Sequence, residues 1–445
     1  MPNSKFLDPL RKIISPENPI RLFYHKLKSM YAAYHFGFPA KKMVMIGVTG
    51  TDGKTTTVHM VEHILRHAGK KVAMMSTVEF RINGEIIPNK SKKTTMSAWQ
   101  TQKFIRRCLK NKVEYVVVEC SSHALHQSRL WGIPFAVAAL TNVTHEHLDY
   151  HHTMENYRDA KMLLFRAVSQ TCKRHGSESI SGIPHKHAFV LNAADRFFED
   201  FNKIPCSHKM AYGFDRGDIQ TGNATYSKFG SKFALRFGEE TVGVDMRLPG
   251  PYNVENAMAA SGVALACNVS LDVIAQALGT FDRVPGRMEV LSSPKGFEVI
   301  VDFALTPHAL AQFYSTLRST ATGRIIGVIG SCGDRDKEKR PLMGKIVAES
   351  TDITIVTDEE PYSEDPKAIM EAVYKGALET GKIPRKQLFL VEDRYSAIEM
   401  AVQMAQKDDI VVVTGMGSFD TRTLNQGPVK WDEREVVKEI IAKNI

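Results

Sequence analysis

At 445 residues the chain exceeds what one hydrophobic core ordinarily organises, so two or three domains are expected; 43% hydrophobic and 24% charged residues describe a globular protein with no membrane-spanning stretch. Six cysteines without a C-x-x-C pair exclude a disulfide framework and a structural zinc site, and the opening MPNSKFLDPLRKIISPENP lacks the apolar core of a signal peptide, so a cytoplasmic enzyme is expected. The net charge of +9 suits anionic ligands such as nucleotides, acidic peptides or lipid surfaces, while no aromatic-basic RNA motif or zinc finger points to nucleic acid.

Residues 1–42 form a basic, aromatic lead-in, within which RLFYHKLKSMYAAYHFGF reads as an amphipathic helix. Such a helix either packs on the next domain or makes weak contact with a membrane surface. From 43 to about 205 the apolar runs VMIGV, VAMMST, EYVVVE, FAVAALTNV and HAFVLN alternate with helical stretches, the pattern of a parallel sheet flanked by helices. Between about 208 and 248 the period changes, and SKFALRF and TVGVDMRL alternate like exposed antiparallel strands before the helix NVENAMAASGVALAC. After VPGRMEV the runs FEVIVDFA, RIIGVIG, DITIVTD, QLFLVED and DIVVVTG restart the alternation. The class is therefore α/β, with a central domain at 43–283 and a doubly wound, Rossmann-like domain at 284–445.

Three constellations carry chemistry. GVTGTDGKTTT, residues 47–57, follows an apolar strand and opens a helix, so its backbone N–H groups and the helix N-terminus form a phosphate cradle. In this P-loop-like turn Lys54 would reach the outer phosphates and Thr55 would hold Mg²⁺, although Val48 replaces the first glycine of the strict pattern. Glu119 ends the strand EYVVVE, where the Mg²⁺ of a nucleotide wants an oxygen ligand. TNVTHEHLDYHH, residues 141–152, packs four histidines and two acids behind another strand, and Lys161 follows on the next helix.

Seven blocks, GVTGTDGKTTT, ECSSHALHQSR, TNVTHEHLDYHHTMENYRDAK, LPGPYNVENAMAA, VPGRMEV, VDFALTPHAL and GSCGDRDKEKRPLMG, run in order across nearly all of residues 43–420 and resemble the Mur ligase family. Within it they are most similar to the MurE branch, the UDP-N-acetylmuramoyl-dipeptide ligases that add the third stem residue of peptidoglycan. The resemblance implies an ATP-dependent ligase in which the acceptor carboxylate is phosphorylated and the amine of an amino acid attacks the acyl phosphate. It implies catalytic roles for Lys54, Glu119, His147 and Lys161, and nucleotide contacts from Gly50, Thr51, Asp52, Gly53, Lys54, Thr55, Thr56, Asn256, Arg287 and Asp302. Metal would be held by Thr55, Glu119, His147 and Lys161, the last as a carbamylated lysine. Acceptor contacts would fall on Thr94, Thr95, Ser97, Ser121 and Arg129.

The chain departs from the family in two places that bear on substrate. Family members begin with a UDP-binding domain of about a hundred residues, whereas 42 residues precede the P-loop domain here, so the acceptor would be gripped by the basic lead-in or carried on something other than UDP, such as a lipid. The D-N-P-R motif that reads diaminopimelate is replaced by Glu359-Glu360-Pro361-Tyr362, and the G-K-G-H-E stretch by Gly415-Met416-Gly417-Ser418-Phe419, although Arg335 remains. The paired glutamates suggest a cationic side chain or amine on the incoming amino acid. Competing readings are a folylpolyglutamate-synthase-like ligase, a ligase or amidating subunit for lipid-linked precursor, and a nucleotide-binding regulator that has lost catalysis.

Overall fold

Short apolar runs buried on both faces belong in the interior of a parallel sheet covered by helices. The computed structural model describes residues 15, 17–175 and 182–444; the start of the lead-in, residues 1–14, lies outside them. The chain divides into two compact units. One runs to Ala224 and takes in Lys232–Met246 and Asn253–Phe281; the other comprises Thr225–Ser231, Arg247–Tyr252 and everything from Asp282 onward.

In chain order the first sheet contains β1 (Val44–Thr49), β2 (Val72–Met75), β3 (Glu79–Ile82), β4 (Glu85–Pro88), β5 (Tyr115–Glu119) and β6 (Phe135–Leu140). It continues with β7 (Ala188–Asn192), β8 (His208–Gly213), β9 (Ile219–Ser227), β10 (Gly230–Phe237) and β11 (Glu240–Met246). Their order is β11-β10-β9-β8-β7-β6-β1-β5-β2-β3-β4. From β2 to β9 through the centre the pairings are parallel, while β2–β3 and β3–β4 are antiparallel. Every residue of β1, β5 and β6 is buried, as their unbroken apolar runs require. The outer strands β9, β10 and β11 alternate between buried and open positions, in keeping with the change of period in the sequence.

The longer helices of this unit are α1 (Pro19–His35), α2 (Lys54–His67), α3 (Ala98–Lys110), α4 (Met154–His175) and α5 (Pro251–Ala266). The amphipathic helix expected in the lead-in is α1: the Asn18 side chain caps it by accepting from the Ile20 N–H at 3.0 Å, with Pro19 in the first turn. It buries Ser29, Ala32 and Ala33 and packs on α3.

The second unit is built on β12 (Glu289–Ser292), β13 (Glu298–Asp302), β14 (Ile325–Ile329), β15 (Ile353–Thr357), β16 (Leu388–Val391) and β17 (Ile410–Thr414), in the order β12-β13-β17-β14-β15-β16. Only β12 runs antiparallel to its neighbour. Helices α6 (Pro307–Thr320), α7 (Lys339–Ser350) and α8 (Pro366–Leu378) share one core with one face of this sheet; α9 (Arg394–Met404) and α10 (Glu433–Lys443) share another with the opposite face. A hairpin that the apolar runs do not announce, β18 (Thr421–Leu424) with β19 (Gly427–Lys430), follows β17.

Beneath that hairpin lies a fully buried ion pair: Arg394 on α9 donates to Glu433 on α10 at 2.5 Å and to the Thr414 carbonyl at 2.8 Å. Trp431 Nε1 satisfies the other carboxylate oxygen at 2.6 Å. Removing one member strands the other charge in the interior, so Arg394→Met should lower unfolding stability by about 3–5 kcal/mol, and the double replacement Arg394→Met with Glu433→Leu should recover most of that loss in urea unfolding.

Candidate active site

Because β1 pairs in parallel with both β5 and β6, with Val48 opposite Glu119 and Thr49 opposite Leu140, the three strands end level with one another. The loops after them, 50–53, 120–129 and 141–152, therefore open side by side, which is where open α/β sheets bind ligands.

The phosphate-cradle loop is held rigid from the neighbouring strand end. Asn142 accepts from the Thr51 N–H with its carbonyl at 2.8 Å and from the Asp52 N–H with its side chain at 2.9 Å; Thr141 Oγ1 donates to the Asp52 carbonyl at 2.6 Å. Two glycines are required by close approach. Gly50, at φ +155°, would drive a Cβ to 1.8 Å from Thr141 Oγ1, and Gly53, at φ +80°, to 2.2 Å from Asn256 Oδ1. That contact brings Asn256, on α5, against the start of α2; its side chain also accepts from Thr57 Oγ1 at 3.3 Å. Lys54 donates to the Thr51 carbonyl at 2.6 Å, and Lys161, from α4, donates to the Gly50 carbonyl at 2.6 Å. Two lysines thus meet one loop from opposite directions in sequence. Thr56 is buried in the first turn of α2.

Glu119 is 2% exposed and belongs to a polar cluster at the end of β5. Its carboxylate accepts from Thr55 Oγ1 at 3.1 Å, from the Thr77 N–H at 2.7 Å and from Thr77 Oγ1 at 3.0 Å. The donor set fits a hard divalent cation: two oxygens adjacent in an octahedron with bonds of about 2.1 Å lie about 3.0 Å apart, close to the separation of Thr55 Oγ1 and Glu119 Oε1. Among the described residues no three His, Cys, Asp or Glu side chains converge as a metal cage. A cation here would therefore complete its shell with phosphate and water oxygens.

Lys161 is 1% exposed, and its ammonium lies 4.0 Å from the centre of the Tyr157 ring. Burial first, and the nearby Lys54 charge second, hold it well below the usual lysine range. His147 sits in the left-handed region at φ +58°, with its ring 4.7 Å from His123 and 6.1 Å from the same Tyr157. Of the dense histidine loop, His151 turns inward to Ser122 Oγ at 3.0 Å, and burial pushes it down to about 3. His152 faces outward, 3.4 Å from Glu17.

The residues expected to meet the acceptor lie beside Glu119. Thr77 donates to Thr94 Oγ1 at 3.1 Å; Thr95 Oγ1 donates to the Glu119 carbonyl at 2.8 Å and lies 3.2 Å from Ser121 Oγ. Arg129 donates to the Thr95 carbonyl at 3.2 Å and, through two nitrogens, to Gln127. Ser97 forms a capping box with Gln100 at the start of α3. Thr77, Asn142 and Tyr157 escape sequence reading, since each acts only once parallel register brings distant strand ends together.

The remaining expected residues belong to the second unit. Asp302 ends β13 and accepts from the Met288 and Ala304 N–H groups, each at 2.7 Å; burial raises its carboxyl above the usual range, against the pull of Arg287. The Arg287 guanidinium stacks 4.4 Å from the Phe303 ring centre. Glu359 and Glu360 are both buried. Glu359 Oε1 accepts from Cys332 at 3.0 Å, its carboxylate lies where a Cβ on Gly415 would sit, 2.1 Å away, and its Oε2 is buried without a hydrogen bond. Burial raises the Glu359 carboxyl. Glu360 accepts from Tyr362 Oη at 3.3 Å and from the Thr423 N–H at 2.8 Å, and Arg335 lies 5.4 Å from the Tyr362 ring. Arg422, from the unannounced hairpin, clamps this segment by donating to the Glu359 carbonyl at 2.9 Å and to Asp358 at 2.8 Å.

Comparison with known proteins shows the family. The family model described as Mur ligase middle domain matches residues 48–264, and the one described as Mur ligase, glutamate ligase domain matches residues 286–417. The UDP-N-acetylmuramoyl-L-alanyl-D-glutamate--2,6-diaminopimelate ligase of Clostridium botulinum is 35% identical over 419 residues, covering 94% of this chain and 81% of that protein. The protein of the same name from Bacillus cereus is 35% identical over 431 residues, covering 96% and 84%. A solved structure of a ligase of that name superposes with a TM-score of 0.62 at 28% identity, covering 97% of this chain and 84% of that one. The folylpolyglutamate synthase of Mycobacterium tuberculosis reaches a TM-score of 0.68 at 16% identity, covering 87% and 92%, a likeness of fold alone.

Proposed function

The chain belongs to the Mur ligase family and is an ATP-dependent acid–amino acid ligase; we propose that it acts in peptidoglycan precursor synthesis, joining an amino acid to the carboxylate of a muropeptide-type acceptor. The observation that carries this reading is the unbroken polar path at the end of β5. It runs from Thr55 in the phosphate cradle through Glu119 and Thr77 to Thr94, and through the Glu119 carbonyl to Thr95, Ser121 and Arg129. A phosphoryl donor and a carboxylate acceptor can meet there.

In this reading the loop amides and Lys54 bind the phosphates of ATP, with a further nucleotide contact from Asn256. Arg129 and the hydroxyls of Thr95 and Ser121 orient the acceptor carboxylate. One carboxylate oxygen attacks the γ-phosphorus, the bond to the β-phosphate oxygen breaks, and ADP leaves. The neutral amine of the amino acid then attacks the acyl carbon; the amide forms, a proton is lost from nitrogen and inorganic phosphate departs. Mg²⁺ held at Thr55 and Glu119 would supply neutralisation of phosphate charge. Purified protein given ATP, UDP-N-acetylmuramoyl-dipeptide and a panel of diaminopimelate, lysine and ornithine should release phosphate only when acceptor and one amino acid are both present. Phosphate release that ignores either, or none while ATP still binds, would refute the assignment.

A buried lysine held below its usual range has a neutral amine available to attack carbon dioxide, and we assign a carbamate to Lys161, with His147 beside it at the metal site. From the neutral amine the nitrogen–carbon bond forms with loss of one proton, so that, counting the proton already lost from the ammonium, a cation is replaced by an anion near the phosphates. Protein equilibrated with isotopically labelled bicarbonate should show a carbamate carbonyl resonance that Lys161→Ala removes; its absence from the unaltered protein would end the assignment.

The incoming amino acid is proposed to present a cationic group to Glu359, whose buried Oε2 has no hydrogen bond. A charged hydrogen bond of about 1.5–3 kcal/mol corresponds to roughly a 10- to 150-fold effect. Glu359→Gln should therefore raise KM for the amino acid by that factor and leave KM for ATP unchanged. An equal rise in both would show a structural role only.

A further inference from the structure

Helix α1 is packed the wrong way round for a helix whose only task is to cover a domain. It buries its small residues Ser29, Ala32 and Ala33 and leaves Ile20, Phe23, Tyr24, Leu27, Tyr31 and Tyr34 between 41% and 73% exposed. Stepping mainly by three and four, these six large side chains form a single stripe about 100° wide, opposite the buried face. At about 1.5 Å per residue the helix is about 25 Å long. Unsatisfied apolar area of that extent marks an interaction surface.

Charge identifies the partner. No Asp or Glu occurs between residues 18 and 51, nor between 98 and 113, the segments that contain α1 and the helix it packs on, α3. Lys26 and Lys28 flank the stripe on opposite sides, where long side chains can keep their ammonium groups in water while the stem lies along apolar surface. Lys103, Arg106 and Lys110 add exposed cations from α3. Tyr31 stacks on Trp99, 6.1 Å between ring centres, which extends the aromatic surface onto the second helix. Aromatic rings beside a basic rim are the composition of a helix that lies in the headgroup layer of a bilayer. No helix among the described residues is long and apolar enough to cross a membrane, so the contact would be peripheral.

We propose that α1, braced by α3, docks this protein on an anionic lipid surface, with the Ile20–Tyr34 stripe in the headgroup layer and the flanking lysines on lipid phosphates. This assignment is independent of the reaction chemistry, since none of these side chains belongs to the candidate active site.

The test is flotation of the full chain with vesicles of phosphatidylcholine, alone or mixed with phosphatidylglycerol. The protein should float with the mixed vesicles at low salt, stay behind with phosphatidylcholine alone, and be released as salt shortens the screening length. Lys26→Glu with Lys28→Glu should weaken partitioning at least about tenfold, given roughly a fivefold effect per cation near the surface. Phe23→Ser with Leu27→Ser should weaken it at least as much through lost apolar burial. Both variants alter exposed side chains and should unfold at the temperature of the unaltered protein. Failure to float with mixed vesicles at low salt, or equal flotation of all three proteins, would overturn the proposal. So would light scattering that shows a dimer broken by Phe23→Ser with Leu27→Ser and no lipid binding, because the stripe would then be a face between two copies of this chain.

Discussion

One buried carboxylate ties together the strand ends at the candidate active site of this protein. Glu119 ends the central strand β5 and is nearly inaccessible to solvent, so its position is stable only if its oxygens are satisfied by the protein. Thr55, from the first turn after the phosphate cradle, and Thr77, from the loop after β2, satisfy them. The three groups come from three strands that must end together, which parallel register alone provides. The same constraint brings Thr95, Ser121 and Arg129 together on one side of Glu119, with the glycine-rich loop on the other. A shift of one residue in β5 would turn the Glu119 side chain to the other face of the sheet.

Near that carboxylate two lysines approach one loop. Asn142 and Thr141 hold the glycine-rich loop from the neighbouring strand end, and Lys54 and Lys161 each donate to one of its carbonyls. Their mutual repulsion, added to burial, lowers Lys161. The second unit uses the opposite sign. Asp302, Glu359 and Glu360 are buried carboxylates, and Arg394, Arg422 and backbone N–H groups supply the compensating positive potential.

Much of this was legible in the chain. The unbroken apolar runs became β1, β5, β6 and β7 of one sheet and β13, β14, β15 and β17 of another, because a strand buried on both faces leaves an unmistakable composition. Gly50, Gly53, Lys54 and Thr55 stood out because a glycine-rich turn between strand and helix carries its purpose in local order. Seven motif blocks in family order pointed to the Mur ligases, and the family comparison agrees. The hairpin β18–β19 went unseen, since its residues TRTL and GPVK lack strong alternation, and so did Arg422, which matters only through Glu359 and Asp358 across the fold.

By itself, then, the sequence determined the fold class, the family, the glycine-rich turn between strand and helix, and the existence of an amphipathic helix near the start. Each of these depends on composition or on residues adjacent in the chain. Only the tertiary structure decided that Thr95 and Ser121 meet beside Glu119, that Thr77 and Asn142 tie neighbouring strand ends together, and that α1 buries its alanines and exposes its aromatics. Those outcomes depend on which strand ends lie side by side and on which helix face meets its neighbour, and periodicity names the faces of a helix without saying which one turns inward.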